Sequence, residues 1–367
     1  MNKVLEKIRN GGEVGGEELF ALLCLDSEKD LRDLYTLAYE IKCRHIGKKV
    51  SFRGLIEYSN ICTKNCYYCG IRKGNTHSVR YVMKPREVYD AARFAWKASY
   101  GSIVLQSGER SDPAFVEEIE NLVRGIKKLS RNELGITLSC GEQTEETFAR
   151  WKEAGAHRYL LRIEASDPDF YRKLHPADHN FHQRLQCLKT LKKLGYQNGS
   201  GVMFGLPGQK VEHMVKDLLF FKEMDLDMIG MGPYIVHTET PLAASFPDFA
   251  LHKEELLALS LKMIACARIL LKDVNIASTT ALQSLHPSGR EMGLLAGANV
   301  IMPNCTPPLC KEAYDLYEGK TGAEKTPEET MNELKNAVEK IGEEVILDAW
   351  GDSPHFAART SSGSYMA

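Results

Sequence analysis

No apolar stretch in this 367-residue chain reaches the ~18 residues that a membrane-spanning helix needs. A long basic run is missing too, and so is an excess of either charge: Lys+Arg 47 against Asp+Glu 49 leaves −2. That balance argues against a dedicated nucleic-acid binder and against an electrostatic membrane anchor. The opening Met-Asn-Lys-Val-Leu-Glu-Lys-Ile-Arg is charged throughout and has no apolar signal-peptide core. A cytoplasmic location is therefore expected, with cysteines reduced rather than paired. Low-complexity segments and internal repeats are also absent. With 43% hydrophobic and 26% charged residues, the composition is that of a globular protein rather than a disordered or coiled-coil one.

What is present is a rhythm. Residues 17–46 carry apolar side chains at helical spacing, broken near Asp26-Ser27, which predicts two amphipathic helices. From residue 50, short runs rich in β-branched residues predict strands at Val50–Tyr58, Ser102–Gln106, Gly135–Ser139, Arg158–Glu164, Gly201–Leu206, Asp227–Met231, Asn275–Thr279 and Asn299–Pro303. Helix-length stretches lie between most of them, the clearest being Arg86–Lys97 after Pro85, then Glu117–Leu129. Strand and helix alternating eight times predicts an α/β fold, and eight units favour a closed (β/α)₈ TIM barrel over an open sheet. After Lys320, Thr326-Pro-Glu-Glu329 reads as a capping box, and Met331, Leu334, Val338 and Ile341 give one apolar stripe. The expected organisation is an N-terminal helical elaboration (1–46), the barrel (47–320) and a C-terminal helix with a loose tail (321–367).

Of the ten cysteines, three fall within eight residues, in Cys62-Thr-Lys-Asn-Cys66-Tyr-Tyr-Cys69. The loop carrying them follows the first predicted strand, at the catalytic face of a barrel. Three soft ligands can grip one metal centre, whereas tetrahedral zinc or a [4Fe–4S] cubane needs four positions. No fourth cysteine or histidine stands at matching spacing, so a cubane held here leaves one iron open. A zinc site completed from elsewhere is the competing reading, although the spacing differs from separated CxxC pairs.

Cys-x₃-Cys-x-aromatic-Cys after a barrel's first strand resembles the radical S-adenosylmethionine (SAM) signature. Ser51–Cys62, Val104–Glu109, Tyr159–Glu164, Gly205–Gln209 and Gly297–Asn304 further resemble the HydE-type [FeFe]-hydrogenase maturases, relatives of biotin synthase and methylornithine synthase. The resemblance covers about residues 46–320. It implies a [4Fe–4S] cluster on Cys62, Cys66 and Cys69, SAM chelated to the open iron, and cleavage to a 5′-deoxyadenosyl radical. A cysteine-derived, iron-bound organometallic substrate, a reductant protein as electron source and other hydrogenase maturation proteins as partners are implied as well. A biotin-synthase-like or methylornithine-synthase-like reaction and a non-catalytic iron–sulfur scaffold are the alternatives.

Individual residues carry two readings. Glu109 and Glu142 follow glycines that let backbone approach a ligand, but a glutamate at a helix N-terminus is also ordinary. The resemblance implies that Gln106, Ser107, Gly108 and Glu109 meet the SAM amino group, with Ser139 a further cofactor contact and Tyr68 near the adenine. Arg162 and Glu164 lie two apart on a strand and point the same way, a structural ion pair or a functional one. By resemblance, Glu164 contacts SAM, Arg162 clamps a substrate carboxylate and Arg184 meets the SAM carboxylate. Thr279, Thr280, Met302 and Tyr314 are then expected at the substrate end. The histidines of His175-Pro-Ala-Asp-His179-Asn-Phe-His182 are read as loop residues rather than a metal site. Cys305 and Cys310 are left without a role, and no second cubane is expected.

Overall fold

The computed structural model describes residues 2–249, 251–319 and 325–361. Eight parallel strands form the barrel wall: β1 (Lys49–Ser59), β2 (Ser102–Ser107), β3 (Gly135–Ser139), β4 (Arg158–Leu160), β5 (Gln197–Ser200), β6 (Met228–Ile229), β7 (Asn275–Ile276) and β8 (Val300–Ile301). They are ordered β8-β1-β2-β3-β4-β5-β6-β7. The ring closes where Ala277 bridges Val300, with Ser278 N–H donating to Val300 O at 2.8 Å and Asn299 N–H to Ile276 O at 2.9 Å. β1 is buried along nearly its whole length, as expected of a parallel strand covered on both faces. The expected barrel is the fold.

Helices α1 (Lys3–Arg9), α2 (Gly16–Leu23) and α3 (Glu28–His45) precede the barrel. Two were expected, and Ser27 is indeed the break, capping Asp30 N–H at 3.1 Å. α1 is too short to announce itself by period. α2 and α3 pack on the long helix Lys253–Leu271, sharing one apolar core with the barrel. Around the wall run α4 (Pro85–Lys97), α5 (Pro113–Leu129), α6 (Glu145–Ala154), α7 (Pro168–Leu174), α8 (Phe181–Lys193) and α9 (Val211–Glu223). α5 begins where Asp112 accepts from Phe115 N–H. It buries Phe115, Val116, Ile119, Leu122, Val123 and Ile126 as one stripe. No helix among the described residues is long and apolar enough to cross a membrane.

Three expectations need correction. The fifth strand was expected at Gly201–Leu206, where the apolar run lies. The barrel strand is Gln197–Ser200 instead, its polar side chains buried with at least one hydrogen bond each. Asn198 Nδ2 donates to Leu188 O at 3.0 Å, and Gln197 Nε2 donates to Asp352 at 2.8 Å. Within the expected segment only Met203–Phe204 is strand, paired with Gly232–Pro233. The fourth strand ends at Leu160, not Glu164, and the chain continues irregularly until Glu164 bridges Val202.

The third correction concerns the C-terminus. The helix Pro327–Lys340 has the expected capping box, Glu329 N–H donating to Thr326 Oγ1 at 3.2 Å and Thr326 N–H to Glu329 at 2.9 Å. The chain does not then trail away. It returns as a strand, β9 (Glu344–Ile346), parallel to the start of β1, and crosses the N-terminal end of the barrel. Ala349 O packs so close to Gly101 that a Cβ there would lie 1.9 Å away, and Gly101 has φ +70°, so only glycine fits. Trp350 packs against His157 with ring centroids 4.4 Å apart and the planes tilted by 40°. Asp352 pairs with buried Arg158 at 2.5 Å, and Gly351 O accepts from Arg53 and Asn275 at 3.0 and 2.8 Å. The expected loose tail, from Ser361 on, begins at the last residue of the helix Pro354–Ser361, and its residues 362–367 lie outside the described residues.

This strap is pH-sensitive. His355 lies between Asp273 (3.3 Å) and Asp225 (2.7 Å). Its bond to Asp273 above all, with Asp225 adding to it, outweighs burial and pushes its pKa up to about 9. A raised folded-state pKa stabilises fully below the unfolded value of about 6.5 and is lost as pH rises through the folded value. Stability is therefore expected to fall by on the order of 2 kcal/mol between pH 6.5 and 9. Thermal melts across that range should be steeper for the wild type than for His355→Gln; equal slopes would contradict the assignment.

Candidate active site

All eight strands point their C-terminal ends at one mouth, and the cysteine loop leaves it directly after β1. Arg80 shapes that loop: its guanidinium donates to the carbonyls of Asn60, Ile71, Arg72 and Asn75 at 2.6–3.1 Å. Nothing in Ser78-Val-Arg80 marks this arginine in the sequence, because its partners are all backbone. Opposite, a Cβ on Gly108 would lie 2.4 Å from Ile61 O, so glycine lets the β2 end close on the loop. Glu109 N–H then reaches the Cys62 sulfur at 3.3 Å.

The three cysteines are free thiols of intermediate exposure. Burial pushes all three up, Cys66 to about 12, with Cys62 adding to the rise at Cys66 and both adding to it at Cys69. Such thiols ionise only beside a strong positive charge, which a metal centre supplies. Among the described residues, the one trio of donors all within 4.8 Å of one another is Cys66–His175–His179. At least one pair of the three cysteine sulfurs is therefore farther apart than that. Three thiols on one loop suit an iron–sulfur cluster that keeps one iron open, whereas a structural zinc takes four closed ligands.

Beside the loop four charges interlock. Arg184 Nε donates to Glu142 at 2.8 Å and its Nη2 to Glu109 at 3.2 Å. Lys64 completes the square, 3.0 Å from Glu142 and 3.2 Å from Glu109. Burial raises the Glu109 carboxyl despite Arg184. Burial also opposes ionisation of Glu142, but Arg184 and Lys64 outweigh it and hold that carboxyl low. This quartet opens on a cavity of about 670 Å³ that Thr63, His179 and Gln183 also line.

Glu164 sits 2.9 Å from Arg162, and Arg184 Nη1 donates to Arg162 O at 2.9 Å. Glu164 has φ +65°, a left-handed backbone that a glutamate adopts at a cost of about 1–3 kcal/mol and that clusters at functional sites. Burial raises its carboxyl, with Arg162 and Arg184 opposing. Arg162 spends one nitrogen on Val202 O and leaves Nε without a partner, as does the Thr279 hydroxyl. Unanswered buried donors at a barrel mouth point to a ligand.

The remaining candidates divide. Gln106 and Tyr314 meet at 3.1 Å. Met302 lines a narrow cavity of about 30 Å³ deep in the lumen with Arg53 and Thr137. Thr280 is not free, since Arg290 donates to its hydroxyl at 3.1 Å. The Ser107 hydroxyl bonds Gly108 O at 2.8 Å, so Ser107 offers a ligand only what that bond leaves. Ser139 closes β3 at intermediate exposure. Cys305 is buried against Pro303 O at 3.7 Å, and neither it nor Cys310 joins a metal-type trio among the described residues.

Residues 175–180 form a loop, as the sequence reading has it. His175 and His179 turn inward onto the cysteine loop. Tyr68 OH is 3.2 Å from His175 Nε2, and His179 Nδ1 is 3.8 Å from the Cys66 sulfur. Burial pushes both imidazoles down, to about 3 and about 4. Two histidines at i, i+4 were the available signal, which the intervening proline masked.

A thiol triad at the mouth of a closed barrel, one ligand short of a cubane and flanked by paired charges, defines a radical SAM enzyme, and the Radical SAM superfamily model matches residues 56–221. The chain is 46% identical over 319 residues, 87% of its length, to the [FeFe] hydrogenase maturase subunit HydE of Thermotoga maritima, covering 88% of that protein. It belongs to the HydE family. It is also 28% identical to 3-methylornithine synthase of Methanosarcina acetivorans, over 92% of this chain and 91% of that one. The crystal structure of methylornithine synthase (PylB) superposes with a TM-score of 0.78 at 22% identity, covering 94% of this chain and 98% of that one, a likeness of fold. The cofactors of the class are a [4Fe–4S] cluster and SAM, and three free thiols on one loop fit the first.

Proposed function

We propose that this enzyme acts in [FeFe]-hydrogenase maturation in the cytoplasm, on a small cysteine-derived, iron-bound substrate, taking electrons from a reductant protein and working alongside other maturation proteins. The observation that carries the site reading is the convergence of Cys62, Cys66 and Cys69 with the Glu109–Glu142–Lys64–Arg184 quartet and the strained Glu164. Bound together, cluster and SAM supply a primary carbon radical by reductive cleavage of the sulfonium.

The chain's own residues would do the rest. The quartet presents both signs of charge, matching an amino-acid zwitterion. An ammonium can take the place of the Arg184 cation at Glu109 while a carboxylate takes that of Glu109 at Arg184. Exchanging one ion pair for another leaves no buried charge bare, which would otherwise cost several kcal/mol. Glu164 would accept from ribose hydroxyls, Tyr68 would face the adenine, and Gln106, Ser107, Gly108 and Ser139 would complete that wall. Arg162, Thr279, Thr280, Met302 and Tyr314 would receive the substrate. The barrel wall and the strap beneath it keep water from the reacting atoms.

Anaerobic reconstitution with iron and sulfide, followed by SAM and a strong reductant, should release 5′-deoxyadenosine. Arg184→Met is expected to weaken SAM binding roughly a hundredfold, equivalent to ~3 kcal/mol, as read by calorimetry on the cluster-loaded protein. Cluster binding without 5′-deoxyadenosine, even with candidate substrates present, would favour an iron–sulfur scaffold. Unchanged SAM affinity would remove the quartet from the site.

A further inference from the structure

The three cluster cysteines differ in what touches their sulfurs. Cys62 receives Glu109 N–H at 3.3 Å, and Cys69 a backbone bond from Ile71. Cys66 meets side chains, the imidazole of His179 at 3.8 Å and the Tyr68 hydroxyl. His179 is 6% exposed, held in the turn before α8 by its own N–H on Pro176 O at 3.0 Å.

Its tautomer follows from its second contact. Asn65 N–H can only donate, and it points at His179 Nε2 at 3.2 Å. Nε2 is therefore the bare nitrogen, and the ring proton of the neutral imidazole is on Nδ1, facing sulfur. The same logic orders the neighbouring ring. His175 Nδ1 lies 2.9 Å from Tyr171 O, an acceptor, so its proton is there, and Nε2 accepts from Tyr68 OH at 3.2 Å. Stacking on Tyr171 at 3.9 Å keeps His175 in place.

Cys66, His175 and His179 have metal-ligand spacing, but the tautomer argues against a separate ion. A ligating histidine donates its far N–H to an acceptor, whereas the group within hydrogen-bond distance of His179 Nε2 is a donor, Asn65 N–H at 3.2 Å, with the Asp178 carboxylate farther off at 3.8 Å. Its near nitrogen is a donor to sulfur, not a lone pair for a metal.

We infer that His179 is a positioning residue that donates its Nδ1 proton to the Cys66 sulfur and thereby raises the reduction potential of the cluster. The inference rests on the reading of Cys62, Cys66 and Cys69 as cluster ligands. Reduction adds negative charge, part of it on the thiolate sulfurs, and a donor aimed at one of them stabilises the reduced form more than the oxidised form. The backbone donors at Cys62 and Cys69 cannot be altered by substitution; this one can.

The test is an EPR-monitored redox titration of the anaerobically reconstituted protein without SAM, comparing wild type, His179→Phe and His179→Gln, with iron content as the loading control. His179→Phe keeps a ring but removes the donor, and its reduction constant should fall about tenfold, or about 59 mV for a one-electron couple. His179→Gln carries an amide donor and should recover part of that shift. A His179→Phe potential equal to the wild type's overturns the inference. Should that variant fail to load, the wild type decides: with nitrogen-15-labelled histidine, pulsed EPR of the reduced cluster should detect an imidazole coupling, and its absence overturns the inference. A wild type that binds no [4Fe–4S] cluster at all fails differently, since it removes the cluster site itself and this role with it.

Discussion

Cys66→Ala is expected to leave the chain folded but without its cluster, and to bring 5′-deoxyadenosine formation below detection. Losing a partner behind a metal ligand costs about 10–100-fold, and losing one of only three ligands should cost at least ~1000-fold on the same scale. The folded state should tolerate the change, because Cys66 is in a loop and only partly exposed. Removing a thiol that burial pushes to about 12 deletes no charge from the metal-free protein. Iron content, the visible absorption band and 5′-deoxyadenosine yield together check this. Cys310→Ala is the matched control and should retain all three. A Cys66→Ala protein that still cleaves SAM would remove the triad from the chemistry.

Glu343→Ala should have the largest effect on stability. Lys42 and Glu343 face each other at 2.6 Å with both side chains fully buried, and Tyr39 OH donates to the same carboxylate at 2.6 Å. Burial pulls the Lys42 ammonium down, and Glu343 opposes that shift. Deleting one partner strands a charge, which typically costs 3–5 kcal/mol. The pair fastens α3 to the chain just beyond the helix Pro327–Lys340, so the melting temperature should drop by several degrees. Replacing both partners, Lys42→Met with Glu343→Leu, should restore most of the loss, because the isolated charge rather than the absent pair is what destabilises. A Glu343→Ala protein that melts with the wild type would mean that water reaches Lys42.

The sequence made most of the architecture legible because parallel barrel strands are apolar on both faces and their helices are amphipathic. β1, β2 and β3 fall where the apolar runs place them, to within a residue or two. β5 escaped because its polarity belongs to a network assembled from residues 188, 227, 352 and 353, and no local pattern encodes partners so distant. The cysteine triad was legible because three ligands share one loop. His179 and Arg80 were not, since each acts through contacts that exist only once the loop has closed. The charge square was half legible: Glu109, Glu142 and Arg184 drew notice singly, while Lys64 entered only through geometry.

The strap also bears on how the chain is made. Its β9 pairs with the first strand, and Lys42 meets a counter-ion 301 positions later. Domains generally fold from the N-terminus as they leave the ribosome, yet here the floor of the barrel cannot be laid until residues 344–352 have emerged. Until then Lys42 has no anion and Arg158 no Asp352, and the lower lumen is open. The nascent protein is thus a barrel waiting for its base, and a stop codon before residue 344 would give a product with every cluster ligand and no closed floor.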